Sequence, residues 1–249
     1  MRALLDGLFD LLFPPQCCRC ERWLLPRDTR DAALCESCRA ALPWIESGLC
    51  MRCQQRGPLR GSDVCQRCRA RRPLLTSCTA AVYYEGEVLH WIRRFKYPEP
   101  GLRGLDPTAL GVAGLLARAA ASRVPGAAPD LVVAVPLHPR RLAQRGFNPA
   151  ALAARDVARG TGAKLDLRLL RRTRDTPSQT GLDRRARRRN VRGAFETSRP
   201  GYGRAWLVDD VVTTGATLEA CAKVLRSAGV REIAALALAR TPAPPRTSR

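Results

Sequence analysis

Ala205-Trp206-Leu207-Val208-Asp209-Asp210-Val211-Val212-Thr213-Thr214-Gly215-Ala216-Thr217-Leu218 is the stretch on which the reading of this chain turns. A short apolar run meets two adjacent carboxylates, then a small hydroxyl-rich turn, then a helical pattern. The apolar run at 205–208, bounded by polar residues, reads as a buried strand of a parallel sheet. Leu218, Ala222 and Leu225, with Cys221 and Val224, recur at helical spacing, and Gly229 stops that helix. The acids and threonines therefore stand at the carboxyl end of a strand, opening into a helix N-terminus. Open α/β sheets bind ligands at such a crevice, and the helix start presents unpaired N–H groups to an anion. Thr213, Thr214 and Thr217 add hydroxyls, and Gly215 lets the backbone approach a phosphate. Asp209 and Asp210 would repel phosphate, so they serve sugar hydroxyls or a divalent metal. No Walker A pattern occurs in the chain.

The flanking segments alternate strand and helix. Thr79–Tyr84 has strand character, and Val88, Leu89, Ile92 and Phe95 form an apolar helical face ending near Lys96-Tyr97-Pro98. A Pro/Gly-rich loop over 98–107 precedes an Ala/Leu helix from about 107 to 122. Leu131–Pro136 is the next strand; Asn148 is a good N-cap and Pro149 a good first helical residue, with Gly160 as the expected stop. A third strand is expected over 165–170 and a last one over 232–238. This order predicts a parallel sheet covered by helices.

Eight of the eleven cysteines form four C-x-x-C pairs: Cys17/Cys20, Cys35/Cys38, Cys50/Cys53 and Cys65/Cys68. Each pair makes a knuckle that aims two thiolates at one point, and two knuckles complete a tetrahedral zinc site. Sequential pairing and a cross-braced arrangement both satisfy the spacing. Disulfides are disfavoured: Met1–Phe13 reads as an amphipathic helix ended by Pro14-Pro15, with Asp6 and Asp10 interrupting its apolar pattern and no cleavage site after it. The zinc is structural, because four thiolates leave no open position. Cys78 and Cys221 read as small buried hydrophobes, and Cys18 is a substitute ligand for the first knuckle.

At 249 residues the chain has room for one ordinary domain and a small module. No apolar run reaches membrane-spanning length, so a cytoplasmic, non-inserted protein is expected. The formal charge is +21, and forty of the 43 basic residues are arginines. That skew also suits a GC-rich genome, so it is a weak sign of a nucleic-acid partner, although the field attracts polyanions. Asp183–Arg192 holds six arginines and one acid, read as a solvated face or a mobile loop. No interleaved aromatics offer single strands a stacking platform there.

The 205–218 stretch closely resembles the phosphoribosyl-pyrophosphate (PRPP) signature of type I phosphoribosyltransferases. With Val135-Pro136-Leu137-His138, Arg145-Gly146-Phe147-Asn148, and Arg172-x-Arg174-x-Thr176-x-x-Gln179-x-x-Leu182 leading to Arg185 and Asn190, the chain resembles the ComF family over roughly residues 4–240. Pro149 departs from the family's usual glutamine. The resemblance implies an α/β type I phosphoribosyltransferase fold, a Rossmann-like parallel sheet with helices on both faces, over 76–240. A helix and double zinc-ribbon module over 1–75 precedes it, and a disordered tail over 241–249 follows. It implies that Asp209 and Asp210 hold the ribose hydroxyls and that the turn Val211–Thr217 (Val211, Val212, Thr213, Thr214, Gly215, Ala216, Thr217) cradles the 5′-phosphate. Leu137, His138, Arg140 and Arg145 become candidates for a pyrophosphate loop; Arg174, Gln179 and Arg185 belong to a flexible loop over about 172–192 that closes on the site. The implied cofactors are two structural Zn²⁺ and Mg²⁺ bound with PRPP. The implied reaction displaces pyrophosphate from ribose C1 by a nitrogen acceptor that the resemblance does not specify, in the service of DNA uptake. The competing expectation is a non-catalytic adaptor for single-stranded DNA or a helicase-like partner, with a regulatory or vestigial PRPP site. A PRPP-responsive regulator is disfavoured because no helix-turn-helix is visible.

Overall fold

The computed structural model describes residues 16–24, 33–46, 48–55, 59, 61–71, 74–97, 106–176 and 183–242. The helix expected over Met1–Phe13, Gln179 of the flexible loop, all but the end of the Pro/Gly-rich segment and the tail past 242 lie outside these residues. The described elements are α1 (Glu36–Ala40), α2 (Gln66–Arg71), β1 (Ser77–Tyr83), α3 (Gly86–Lys96), α4 (Pro107–Ala121), β2 (Leu131–Ala134), α5 (Pro139–Arg145), α6 (Pro149–Thr161), β3 (Lys164–Asp166), β4 (Arg171–Arg172), α7 (Arg184–Val191), β5 (Phe195–Glu196), β6 (Arg204–Val212), α8 (Ala216–Ser227) and β7 (Glu232–Arg240).

Five strands form one sheet in the order β1-β7-β6-β2-β3, every pair parallel. The central strands are apolar on both faces, as parallel strands covered by helices must be: Leu207, Val208, Leu236 and Leu238 are all fully buried. Helices α4 and α6 pack on each other and on the sheet, while α8 lies against β6 and β7 beside α7 and β5. This is the expected parallel α/β sheet with packed helices. Strand β2 is followed outward by β3, whereas β6 is followed in the opposite direction by β7. The chain thus reverses between β2 and β6, and the crevice at their carboxyl ends is the place where such sheets bind ligands.

Several boundaries differ from expectation, each for a local reason. Strand β6 runs on through both acids to Val212, because β7 pairs with it as far as Val212 opposite Arg240. Strand β3 stops at Asp166, whose carboxylate accepts from Arg168 N–H (2.8 Å) and turns the chain. Helix α6 starts as expected, with Asn148 Oδ1 capping Ala150 N–H at 3.1 Å. It passes through Gly160 and ends at Gly162, which takes the left-handed conformation (φ 69°) that suits glycine. The arginine-rich stretch after 183 is not a loop: Asp183 accepts from Ala186 N–H at 2.7 Å and caps α7.

The first ribbon is built into the sheet edge. Residues 43–45 run antiparallel to β1, with Ile45 N–H donating to Ala81 O (3.0 Å) and Tyr83 N–H to Pro43 O (2.8 Å). From the second ribbon the Gln54 side chain bonds the β1 backbone at Ala80 on both sides, donating to its O (3.3 Å) and accepting from its N–H (2.5 Å). An edge strand that would otherwise template aggregation is thereby covered. Cys17, Cys35 and Cys38 belong to the main apolar core, whereas Cys50, Cys65 and Cys68 form a small cluster of their own with Cys53, Leu59 and Val64.

Candidate functional site

The cysteines assemble sequentially, which removes the cross-braced alternative. The sulfurs of Cys17, Cys20, Cys35 and Cys38 lie within 4.8 Å of one another, and so do those of Cys50, Cys53, Cys65 and Cys68. A zinc–thiolate tetrahedron with bonds of about 2.3 Å has edges of about 3.8 Å; Cys20–Cys35 stand 3.7 Å apart and Cys53–Cys65 3.9 Å. The donor sets fit Zn²⁺, and these are two zinc-binding sites of four cysteines each. The Ser37 hydroxyl, 3.3 Å from Cys35 Sγ, pulls that thiol down to about 6, toward the thiolate that metal binding requires. Cys18 is in neither quartet; burial, with Cys17 beside it, pushes its thiol up to about 11.

At the crevice between β2 and β6, Asp209 and Asp210 stand side by side, partly buried, with Asp209 Oδ1 accepting from Asp210 N–H at 2.9 Å. Burial and the neighbouring Asp210 carboxylate raise Asp209 to about 7, and Lys96 offsets part of that rise. Lys96 is a residue that sequence reasoning passed over. It comes from the last turn of α3, and its Nζ lies 2.8 Å from Asp210 Oδ1. Burial works against its charge, but Asp210, and Asp209 behind it, hold it above the usual lysine range. The available signal was its rarity: it is one of three lysines among 43 basic residues.

Past Val212 the turn opens. Gly215 adopts φ 76°, and a Cβ there would meet nothing within 4 Å, so the space in front of the turn is free. As N-cap of α8, Gly215 supplies no side chain, and Thr214 Oγ1 reaches Ala216 N–H at a long 3.4 Å. Thr213, Thr214 and Thr217 are partly exposed around this turn, Val211 is partly buried, and Val212 is in the core.

The segment expected as a pyrophosphate loop is largely helix α5. His138 is its N-cap, with Nδ1 accepting from Arg140 N–H at 3.3 Å, and Pro139 follows at the first helical position. Leu137, just before that cap, is partly exposed. Arg140 is largely exposed and 3.6 Å from Asp175; Arg145 stacks over the Tyr97 ring at 4.6 Å, so α3 and α5 meet beside the acid pair. Phe95 and Phe147, 6.4 Å apart, brace the same junction. In the flexible-loop region Arg174 donates to Arg192 O (2.5 Å), tying the two ends together, and Arg185 is exposed on α7. Arg172 was not singled out from the sequence as a site residue. It is buried, donates to Thr176 Oγ1 at 2.6 Å and lies over Phe195. Burial, then Arg141, lowers its pKa, while Asp209 works the other way.

The double zinc ribbon domain family matches residues 8–69. Over 114 residues the chain is 40% identical to the DNA utilization protein YhgH of Escherichia coli K12, covering 45% of this chain and 50% of that one. Over 116 residues it is 37% identical to the Competence protein F of Haemophilus influenzae, covering 45% and 51%. The chain is thus similar to a protein of DNA utilization and to one of competence, each over a little under half of its own length. It spans about half the length of the curated relatives it matches. Superposition on an allosteric regulatory enzyme of purine biosynthesis covers 57% of this chain and 29% of that one, at 21% identity and a TM-score of 0.37. The fold assignment rests on the strand order and the two cysteine quartets. Among the described residues no helix is long and apolar enough to cross a membrane.

Proposed function

We propose that this chain binds PRPP or ribose 5-phosphate at the β2/β6 crevice and directs the ribosyl group to a nitrogen acceptor, as part of DNA uptake or utilization. The observation that carries the reading is the placement of a paired carboxylate and an open, side-chain-free helix start on one strand–turn–helix at the topological switch point. Asp209 and Asp210 would accept hydrogen bonds from the vicinal ribose hydroxyls. The turn at 213–217 would present backbone N–H groups and threonine hydroxyls to the 5′-phosphate. With Lys96 already on Asp210, the acids do not form an all-protein Mg²⁺ cage; the set fits a Mg²⁺ that arrives on the diphosphate and neutralises its charge. Arg140 and Arg145 stand where a leaving diphosphate would find guanidinium donors. Closure of the 172–192 segment would exclude water from the oxocarbenium-like ribosyl centre. The cytoplasm is the compartment that suits such a substrate.

The test is calorimetric titration of Mg²⁺–PRPP into the zinc-loaded protein and into the Asp209→Asn/Asp210→Asn variant. The expected result is saturable binding by the wild type and none by the variant. No binding by a folded, zinc-loaded wild type would sink the ribose-phosphate reading.

A second reading, an adaptor for single-stranded DNA or a helicase-like partner, is favoured by α7, whose arginines are displayed on an ordered surface helix. It predicts a salt-dependent DNA affinity that Asp210→Asn leaves unchanged and charge reversal at Arg185 and Arg188 removes.

A further inference from the structure

A large cavity lies apart from the acid pair. It is a groove of about 1400 Å³ between the second ribbon and helix α8, and it touches the phosphate turn only at Thr214–Ala216. One wall is a face of α8 and its C-cap, where Ala216, Ala220, Val224 and Ala228 recur at every fourth position beside Glu219, Lys223 and Ser227. The opposite wall comes from the second ribbon and the leucines that follow it, Leu74 and Leu75. The described lining carries seven basic side chains and two acidic ones.

Dimensions narrow the occupant. The twelve residues of α8 give the groove a length of about 18 Å at 1.5 Å per residue. A volume of about 1400 Å³ over that length leaves room for an element the girth of an α-helix, about 10 Å across. The volume exceeds the roughly 300–1,000 Å³ usual for small ligands. Alanines at 216, 220 and 228, with Val224 between them, let a second backbone come close, as an apolar helix face laid in a groove requires.

Charge narrows it further. Arg240 lines the groove and is 4% exposed. Among the described residues its side chain donates to Cys78 Sγ (3.2 Å), and its Nε has no partner. A guanidinium is always charged, and burying one beside a thiol rather than a carboxylate is costly. An incoming carboxylate would complete it. Arg52, Arg71, Arg188 and Lys223 stand along the same groove, where the Glu219 carboxylate feels the charge of Arg188. Nucleic acid fits less well: the one aromatic lining residue, Phe195, is buried under Arg172 and offers no stacking face.

We propose that this groove docks an acidic amphipathic helix of a partner protein, its apolar stripe on α8 and its carboxylates on the arginine rim and Arg240. This holds independently of ribose-phosphate binding at the crevice. The probes are two labelled 16-residue peptides of one Leu/Ala/Glu composition, one with leucines at i, i+3, i+4 spacing and one scrambled, read by fluorescence anisotropy at physiological salt. The amphipathic peptide is expected to saturate, and the scrambled one to bind at least tenfold more weakly. Ala220→Trp, which fills the groove without changing charge, and Lys223→Glu, at an exposed site, should each weaken the amphipathic peptide at least tenfold. Zinc content and PRPP titration should be unchanged in both variants, showing that they fold. Absence of peptide binding, equal binding of the scrambled peptide, or indifference to Ala220→Trp overturns the proposal. An oligo(dT) that competes for the groove and is itself lost in Ala220→Trp would assign it to nucleic acid, and a dimer abolished by Ala220→Trp would assign it to a second copy. Either would overturn it as well.

Discussion

Cys38→Ser is expected to unfold the protein, whereas Cys68→Ser, the matching change in the second ribbon, leaves a folded sheet that still binds PRPP. The two quartets have the same chemistry but different neighbours. Cys17, Cys35 and Cys38 are packed in the cluster that holds the central strands, and the chain just after Cys38 extends the sheet at β1 through Pro43 and Ile45. A structural zinc supplies about 10–16 kcal/mol of binding free energy to the fold that presents its ligands, against a net domain stability of about 5–15 kcal/mol. Losing one thiolate at the first site therefore removes an amount comparable to the whole margin and uncovers an edge strand. Among the described residues the second quartet forms a small apolar cluster of its own with Leu59 and Val64, outside the main core. Its loss should release one zinc per chain, abolish docking in the α8 groove, and leave PRPP affinity within about threefold. Metal analysis, thermal unfolding and calorimetry on both variants check this. Equal melting temperatures for the two would show that the ribbons are energetically alike and that the shared core carries no special weight.

How far the sequence could be read depended on whether the controlling interaction was local. Asn148-Pro149 announced the start of α6 because capping acts within three residues. The two quartets were legible because a knuckle is a four-residue device. The end of α6 was less so: Gly160 and Gly162 are both glycines within two positions, and only the backbone shows which one is left-handed. The six arginines after Asp183 look like a loop until the capping bond of Asp183 is seen, since a polar helix carries no apolar stripe to betray it. Non-local partners were invisible. Strand β6 continues past its acids because of β7, and Gln54, an exposed-looking glutamine, seals β1 from twenty-six residues away. Lys96 lies more than a hundred positions from Asp210 in sequence, so nothing near the acid pair names its counter-ion.

Lys96→Met should cut ribose 5-phosphate or PRPP affinity at least tenfold at pH 7, and the loss should shrink as pH rises. A cation 2.8 Å from Asp210 Oδ1 stabilises the ionised pair; opposite charges about 4 Å apart at an effective dielectric near 20 gain about 4 kcal/mol, while one pKa unit corresponds to about 1.4 kcal/mol. Even a heavily screened interaction is therefore worth a full unit. Sugar hydroxyls donate to carboxylates, so binding needs Asp209 and Asp210 ionised. Asp209 is already raised to about 7 by burial and by Asp210, so wild-type affinity should fall as pH drops through 7. The same raised value has a stability consequence: the folded state holds a proton that the unfolded chain has released, so Asp209 favours folding less as pH climbs from about 4 through 7. The other groups coupled to the pair or its lysine include Tyr84 beyond β1, Cys78 on β1, Arg172 on β4 and Cys221 on α8, and Arg172 is the remaining cation among these. Removing the ammonium should move the acid limb of the binding profile upward by about one unit or more, and Lys96→Arg should restore part of it. A uniform loss of affinity at every pH would instead mean that Lys96 acts on the ligand's phosphates directly and not through the carboxylates.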